Sequence, residues 1–265
     1  MDMNLKGRVA VVSGSTGGIG FATARELALL GATVAINGRT QARVDAAIAK
    51  LKSEVKGAEL LSAPGDLSNA AGADAIIAAV PQADILVNNA GIFEPKGFFD
   101  IPDEDWTRFF EINVLSGIRL SRHYTPGMVK KGWGRVVFIS SESGLHIPAE
   151  MVHYGMTKTA QLAVSRGLAE TVAGTGVTVN AVLPGPTLSE GVEVFMRQMA
   201  AGQTNPDLQQ MGRDFIREHR SSSLLKRLAS NEEVANMIAY VCSPAASATS
   251  GAALRVDGGV VKSIA

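Results

Sequence analysis

The most constraining feature of this sequence is a short apolar run, Val9-Ala10-Val11-Val12, that ends in Ser13-Gly14-Ser15-Thr16-Gly17-Gly18-Ile19-Gly20. An amphipathic segment, Phe21 to Leu30, follows and is closed by Gly31, so the stretch reads as strand, glycine-rich turn and helix. Glycines let the backbone turn tightly and approach a pyrophosphate, which then meets the N–H groups and positive dipole of the helix start. A lone glycine turn is often nothing more than a turn. Here the flanking strand and helix make it a dinucleotide-site candidate.

Further strand-like runs alternate with helical segments: Thr33 to Ile36, Leu60 to Ala63, Asp84 to Val87, Val136 to Ile139, Val177 to Val182 and a last strand within Gly251 to Gly259. That alternation predicts an α/β fold in three layers, a Rossmann-type doubly wound, mostly parallel sheet of about seven strands. At 265 residues the chain suits one domain, 1–265, with a sizeable core. Lys plus Arg and Asp plus Glu both number 25, which gives no reason to expect nucleic acid or an anionic membrane as partner. The single cysteine, Cys242, has no internal disulfide partner. Residues 1–8 are polar, only four apolar residues precede Ser13, and no apolar run reaches the ~18 residues of a span. A cytoplasmic protein is therefore expected. No His, Cys or Asp cluster has metal-ligand spacing, so no metal is expected.

A second constellation carries chemistry. Tyr154 and Lys158 lie four apart on a helical pattern and so share one face. An ammonium near a phenol favours the phenolate and would draw the phenol below its usual pKa of about 10. Ser141 closes the apolar run Val136-Val137-Phe138-Ile139, where open α/β sheets place their ligand crevice. Together these residues suggest a Ser-Tyr-Lys proton-transfer site; Tyr154 and Lys158 alone would often be a plain surface pair.

The glycines fall as G-x-x-x-G-x-G at Gly14, Gly18 and Gly20, and with Tyr154-x-x-x-Lys158 the chain resembles the short-chain dehydrogenase/reductase family in its compact, single-domain form. The resemblance runs from Lys6 to about Gly259. It implies reversible hydride transfer between a nicotinamide and a carbonyl/alcohol pair, with cofactor contacts from Gly14, Ser15, Thr16, Gly18, Ile19 and Gly20. Gly38 stands where the family's NAD-type aspartate would fall, and Arg39 follows it. A guanidinium can bind a 2′-phosphate in fork geometry, so NADP(H) is the expected preference with NAD(H) possible; the plain alternative is a solvated turn arginine. Asp66, with Leu67 beside it, matches the family's adenine contact, and its plain alternative is the cap of a helix beginning near Ser68. Asn88-Asn89-Ala90-Gly91 resembles the family's N-N-A-G, which places Asn89, Ala90 and Gly91 against the cofactor, the sheet centre, or both.

Asp103 to Lys131 reads as one long helical stretch containing Asn113. The resemblance makes Asn113 a fourth catalytic residue that distorts its helix so that its carbonyl holds a water against Lys158; otherwise it is a satisfied buried amide. By the same resemblance Ser141, favoured over Ser143, holds the substrate oxygen, Tyr154 exchanges the proton, and Lys158 lowers the tyrosine pKa and binds the nicotinamide ribose. Glu142, His146 and His153 could touch substrate. Pro184-Gly185-Pro186-Thr187-Leu188-Ser189 matches the nicotinamide-side loop, with Pro184, Gly185, Thr187 and Ser189 as contacts, although the family more often has Thr at the last position.

Residues 189–225 read as a lid over the substrate, with helical patches at Val192–Met199 and Leu208–Arg217 and wall candidates Met196, Met199 and Met211. The substrate expected is a small carbonyl or alcohol. One alternative is a 3-oxoacyl thioester on an acyl-carrier protein, with Lys130-Lys131 as an acidic carrier's docking point. Another is a non-catalytic NAD(P)-binding sensor or scaffold. An enoyl reductase is disfavoured because those relatives space tyrosine and lysine more widely. The resemblance also implies a homodimer or homotetramer built on the two long helices.

Overall fold

The computed structural model describes residues 1–189, 192–193 and 207–264. Its first half alternates β1 (Val9–Val12), α1 (Gly18–Leu29), β2 (Thr33–Ile36), α2 (Gln41–Glu54), β3 (Leu60–Ser62), α3 (Ala70–Ala79) and β4 (Ile85–Asn88). Then come α4 (Asp103–Phe110), α5 (Ser116–Lys131), β5 (Gly134–Ile139), α6 (Val152–Thr171), β6 (Val177–Pro184), α7 (Leu208–His219), α8 (Asn231–Cys242) and β7 (Ala253–Val256). The seven strands form one sheet in the order β3-β2-β1-β4-β5-β6-β7. Every pairing is parallel, one step beyond the expected mostly parallel sheet.

The central strands are mostly apolar and buried because both faces are covered. Successive side chains alternate between the faces. Ala10, Val12, Val34, Ile36, Val87, Val137 and Ile139 pack with α1, α2 and α8 in one buried cluster. Val11, Ala35, Leu86, Val136, Phe138 and Val179 pack with α3, α5 and α6 in the other. The chain winds from β1 outward to β3, then returns to lay β4 against the other side of β1. That reversal opens a crevice at the carboxyl ends of β1 and β4, the place where such sheets bind ligands. Register pairs Val12 with Val87 and Val87 with Val137, so the ends of β1, β4 and β5 finish level beside it.

Two departures from the expected elements matter. The stretch from Asp103 to Lys131 is not one regular helix: residues Glu111–Leu115 form a widened π turn between α4 and α5, and Asn113 lies inside it. Such turns accommodate one extra residue in an otherwise helical stretch, often at functional sites, and Glu111–Leu115 holds no glycine or proline to announce one. α3 is capped by Asn69, whose side chain accepts from Gly72 N at 3.1 Å. Asp66 is not its cap. The helical patch expected over Leu208–Arg217 appears as α7, whereas most of the patch at Val192–Met199, with Met196 and Met199, lies outside the described residues. No helix among the described residues is long and apolar enough to cross a membrane.

Candidate active site

The glycine turn is built by close approach. Gly14 and Gly18 hold positive φ values of 62° and 56°, which glycine adopts without steric cost. A Cβ on Gly20 would clash with the Gly14 carbonyl and lie 2.5 Å from Asn89 Nδ2. Asn89 braces the turn by donating from Nδ2 to Ser13 O (2.9 Å) and Gly14 O (3.1 Å). Ser13 Oγ accepts from the Asn89 and Ala90 N–H groups, both at 2.9 Å. Asn37, at the end of β2, accepts from Gly14 N at 2.9 Å and donates to Ala63 O and Gly65 O. Sequence reasoning missed this brace; a buried asparagine closing an apolar strand was its signal. Ser15 is also structural: its hydroxyl donates to Val12 O and accepts from Asn37 N, and it is fully buried.

The start of α1 suits an anion. Unlike α2, α3 and α8, it has no side-chain cap; no acidic residue stands in its first turn, so its leading N–H groups and dipole remain available. Thr16 and Ile19 flank this turn, and Ser189 lies across it, its Cβ 3.7 Å from where a Gly18 Cβ would be. The loop from Pro184 to Ser189 is strapped down by Leu188 N to Ala229 O and Ala229 N to Pro186 O, each 2.9 Å. Thr187 pairs with Ala229 and turns its hydroxyl onto Gly185 O. A Cβ on Gly185 would lie 2.7 Å from Asp257 Cα and O, so glycine is required by that approach. Arg39 and Asp66 are exposed, and Leu67 is a core side chain. The open cradle at Gly14, Gly18 and Gly20 and the uncapped helix start fit a nicotinamide dinucleotide. We expect Gly20→Ala to raise the Kd for NADPH at least tenfold and to cost about 1–3 kcal/mol of stability. Fluorescence titration and thermal unfolding would check this.

Ser141, Tyr154, Lys158 and Asn113 come together beside this cradle. A Cβ on Gly91 would lie 3.3 Å from Asn113 Oδ1 and 3.6 Å from Lys158 Nζ, so the turn after β4 touches both. The Ser141 hydroxyl, at the end of β5, lies close enough to the Tyr154 phenol to draw its pKa down, and it accepts from Ser143 N at 3.1 Å. This geometry favours Ser141 over Ser143. Asn113 is held on both sides: its Oδ1 accepts from Ile92 N at 2.7 Å, and its Nδ2 donates to Ile92 O and Thr157 Oγ1. Thr157 in turn donates to Tyr154 O at 2.7 Å.

Burial dominates the titration of the pair. Tyr154 is half-buried. That burial pushes the phenol up to about 12; Ser141 and Arg220 pull it down and Glu142 pushes it up. Lys158 Nζ lies 5.6 Å from the ring centroid and is itself drawn down to about 7 by burial. The expected lowering of the phenol by Lys158 is not what this site shows, because helical spacing places two groups on one face without revealing how dry that face is.

Two further features border the site. Glu142, next to Ser141, is buried and accepts from Arg220 Nε at 3.0 Å, while Arg220 Nη1 reaches Glu150 at 3.4 Å. Arg220 follows the last residue of α7 and is a contributor that sequence reasoning missed. His153 does not face a substrate: it is fully buried between the rings of Phe109, 4.1 Å away, and Trp106, and burial lowers its pKa. His146 is exposed. The Phe93 ring meets Tyr154 edge-on at 6.4 Å.

Residues 14–261 match the family model described as enoyl-(acyl carrier protein) reductase. The chain is 48% identical to the oxidoreductase YvaG of Bacillus subtilis, with 100% of each covered. It is 32% identical to the 3-oxoacyl-[acyl-carrier-protein] reductase FabG of Aquifex aeolicus, covering 98% of this chain and 100% of the relative. Among solved structures it resembles L-sorbose reductase from Gluconobacter frateurii, complexed with NADPH and L-sorbose, with a TM-score of 0.92 at 31% identity over 100% of each chain. The likeness thus runs along the whole length of the chain, which belongs to the short-chain dehydrogenase/reductase family of NAD(P)-dependent oxidoreductases.

Proposed function

We infer that this protein is an NADP(H)-preferring oxidoreductase that interconverts a carbonyl and a secondary alcohol, with Tyr154 exchanging the proton. The observation that carries the reading is the meeting of Ser141, Tyr154 and Lys158 beside the glycine cradle, with β4 between the two strand ends. When bound, a nicotinamide supplies the hydride to the carbonyl carbon or takes it from the alcohol. Ser141 holds the substrate oxygen, and Tyr154 gives that oxygen its proton. A phenol pushed up to about 12 stays protonated through the neutral range, which suits donation and hence reduction. Oxidation needs the phenolate, and for that the charge on Lys158 matters. The four-residue spacing of tyrosine and lysine supports carbonyl rather than enoyl reduction.

The cofactor preference rests on the end of β2. A Cβ on Gly38 would lie 2.5 Å from Thr16 Cγ2, so an NAD-type aspartate there would require the Thr16 side chain to shift. Arg39 stands exposed beside it, where a guanidinium can meet a 2′-phosphate. Arg39→Ala should raise KM for NADPH by roughly tenfold or more and leave KM for NADH nearly unchanged. Paired kinetics with both cofactors test this, and equal responses to the two would count against it.

A 3-oxoacyl thioester is the second reading. The likeness to FabG supports it, as do the exposed apolar side chains Phe93, Leu145 and Ile147, of which Phe93 packs on Tyr154 and Ile147 lies near Gly155. Its docking point at Lys130-Lys131 is weakened, because Lys131 is engaged with Asp84 at 3.0 Å. The buried Glu142–Arg220 pair beside Ser141 favours a small polar substrate instead, in keeping with the likeness to L-sorbose reductase. A panel of ketones, ketoses and 3-oxoacyl thioesters separates these readings; tight NADPH binding without any turnover would leave the sensor or scaffold. We further take the chain to act in the cytoplasm as a single domain, assembled as a homodimer or homotetramer, for which sedimentation is the test.

A further inference from the structure

Lys158 and Gln161 sit three apart on α6 and turn the same way. Both are buried, as is Asn113. The Lys158 ammonium donates to Ile139 O at 2.8 Å and to Gln161 Oε1 at 3.2 Å. On its other side Gln161 Nε2 donates to the Asn113 carbonyl at 2.6 Å. The amide's orientation is dictated by chemistry, since an ammonium can only donate and a carbonyl can only accept. A side chain therefore spans the gap from the lysine to the π turn, where the family resemblance predicts a water.

The geometry points to Gln161 as a positioning residue that holds the Lys158 ammonium and ties it to the carbonyl of the π turn. When Tyr154 gives its proton to the substrate oxygen, its O–H bond breaks and the new O–H forms on substrate, leaving a phenolate that the Lys158 charge stabilises. This inference rests on the reading of Tyr154 as the proton donor.

The charged groups facing the phenol are Lys158 on its own helix, Glu142 from the turn after β5, and Arg220 from the end of α7. Glu150 stands behind Arg220, and His153 lies on the Trp106 and Phe109 side of α6. Among them the Lys158 charge is the one Gln161 controls. Burial opposes that charge, so losing the Gln161 oxygen should discharge the lysine and make the phenolate harder to form.

The test uses the full protein saturated with NADP+ and follows phenolate absorbance against pH. The chain has three tyrosines, and subtracting the Tyr154→Phe titration isolates the step of interest. Gln161→Leu removes both bonds, and its Tyr154 step should rise by about one pH unit. Gln161→Glu keeps the acceptor but sets a negative charge beside the ammonium, and should also move the step upward. Gln161→Asn is too short to span both partners and is the variant to read if Leu does not fold; its step should rise by at least half as much. A step unmoved in these variants, with only the melting temperature lowered, would make Gln161 a packing residue and overturn the inference alone. A wild-type complex with no Tyr154 step to subtract would overturn it together with the reading it rests on.

Discussion

Tyr154→Phe is expected to lower kcat for carbonyl reduction by roughly a thousandfold while binding NADPH within about threefold of the wild type, since the phenol adds nothing to the cradle of P-loop-like backbone donors. The change removes one oxygen. It leaves the Phe93 edge contact and the helix that carries Lys158 in place. The Ser141 hydroxyl still accepts from Ser143 N. Any turnover that survives measures what hydride transfer achieves when the substrate oxygen must take its proton from solvent. Stopped-flow reduction with cofactor titration separates the two quantities. A variant that keeps more than about a tenth of wild-type kcat would remove Tyr154 from the role given to it.

The second large effect is expected at Arg220, which borders the site through Glu142. Arg220→Met should destabilise the protein by about 3–5 kcal/mol, because it leaves the buried Glu142 carboxylate without its partner. In the structure that carboxylate already has one oxygen, Oε2, with no hydrogen-bond partner, and its other oxygen depends on Arg220 Nε. For a chain of this length such a loss lowers Tm by roughly 10 °C. The double variant Glu142→Gln with Arg220→Met should recover at least half of the loss, since no charge is then stranded. The pair also acts on chemistry. Arg220 pulls the Tyr154 phenol down and Glu142 pushes it up, so removing Arg220 alone raises the phenol further. Alcohol oxidation, which needs the phenolate, should then begin at higher pH, and the double variant should bring that limb back. Thermal unfolding and pH–rate profiles of both variants check the two halves of this expectation.

Much of this architecture is readable from residue order because a parallel strand covered on both faces leaves an uninterrupted apolar signature. Val9–Val12 and Val136 to Ile139 are such runs, and the glycine turn after the first could be placed before any coordinate. α1 begins at Gly18, earlier than the amphipathic pattern starting at Phe21 suggests, because the glycines of the turn already take helical positions. The π turn at Asn113 was legible only by resemblance, since Glu111–Leu115 holds no glycine or proline to announce it. What the order of residues conceals is dryness and distance. Tyr154 and Lys158 share a face by spacing alone, but the burial that pushes one up and the other down depends on everything packed around them. Arg220 meets Glu142 across 78 positions with no local pattern to announce it. Gln161 did leave a trace, a polar residue three past the lysine on the same face, which becomes informative only once the Asn113 carbonyl is seen opposite.

The central claim is that hydride goes to a carbonyl carbon while Tyr154 protonates its oxygen. The most direct measurement supplies NADPH deuterated at the transferring position of the nicotinamide, together with a panel of ketoses, hydroxyketones, 3-oxoacyl thioesters and enoyl thioesters, and locates the label in each product. The account predicts deuterium on the carbinol carbon of a ketose, hydroxyketone or 3-oxoacyl product, abolished in Tyr154→Phe. Deuterium on the β-carbon of a saturated acyl product, or NADPH bound tightly with no panel member reduced, would contradict it.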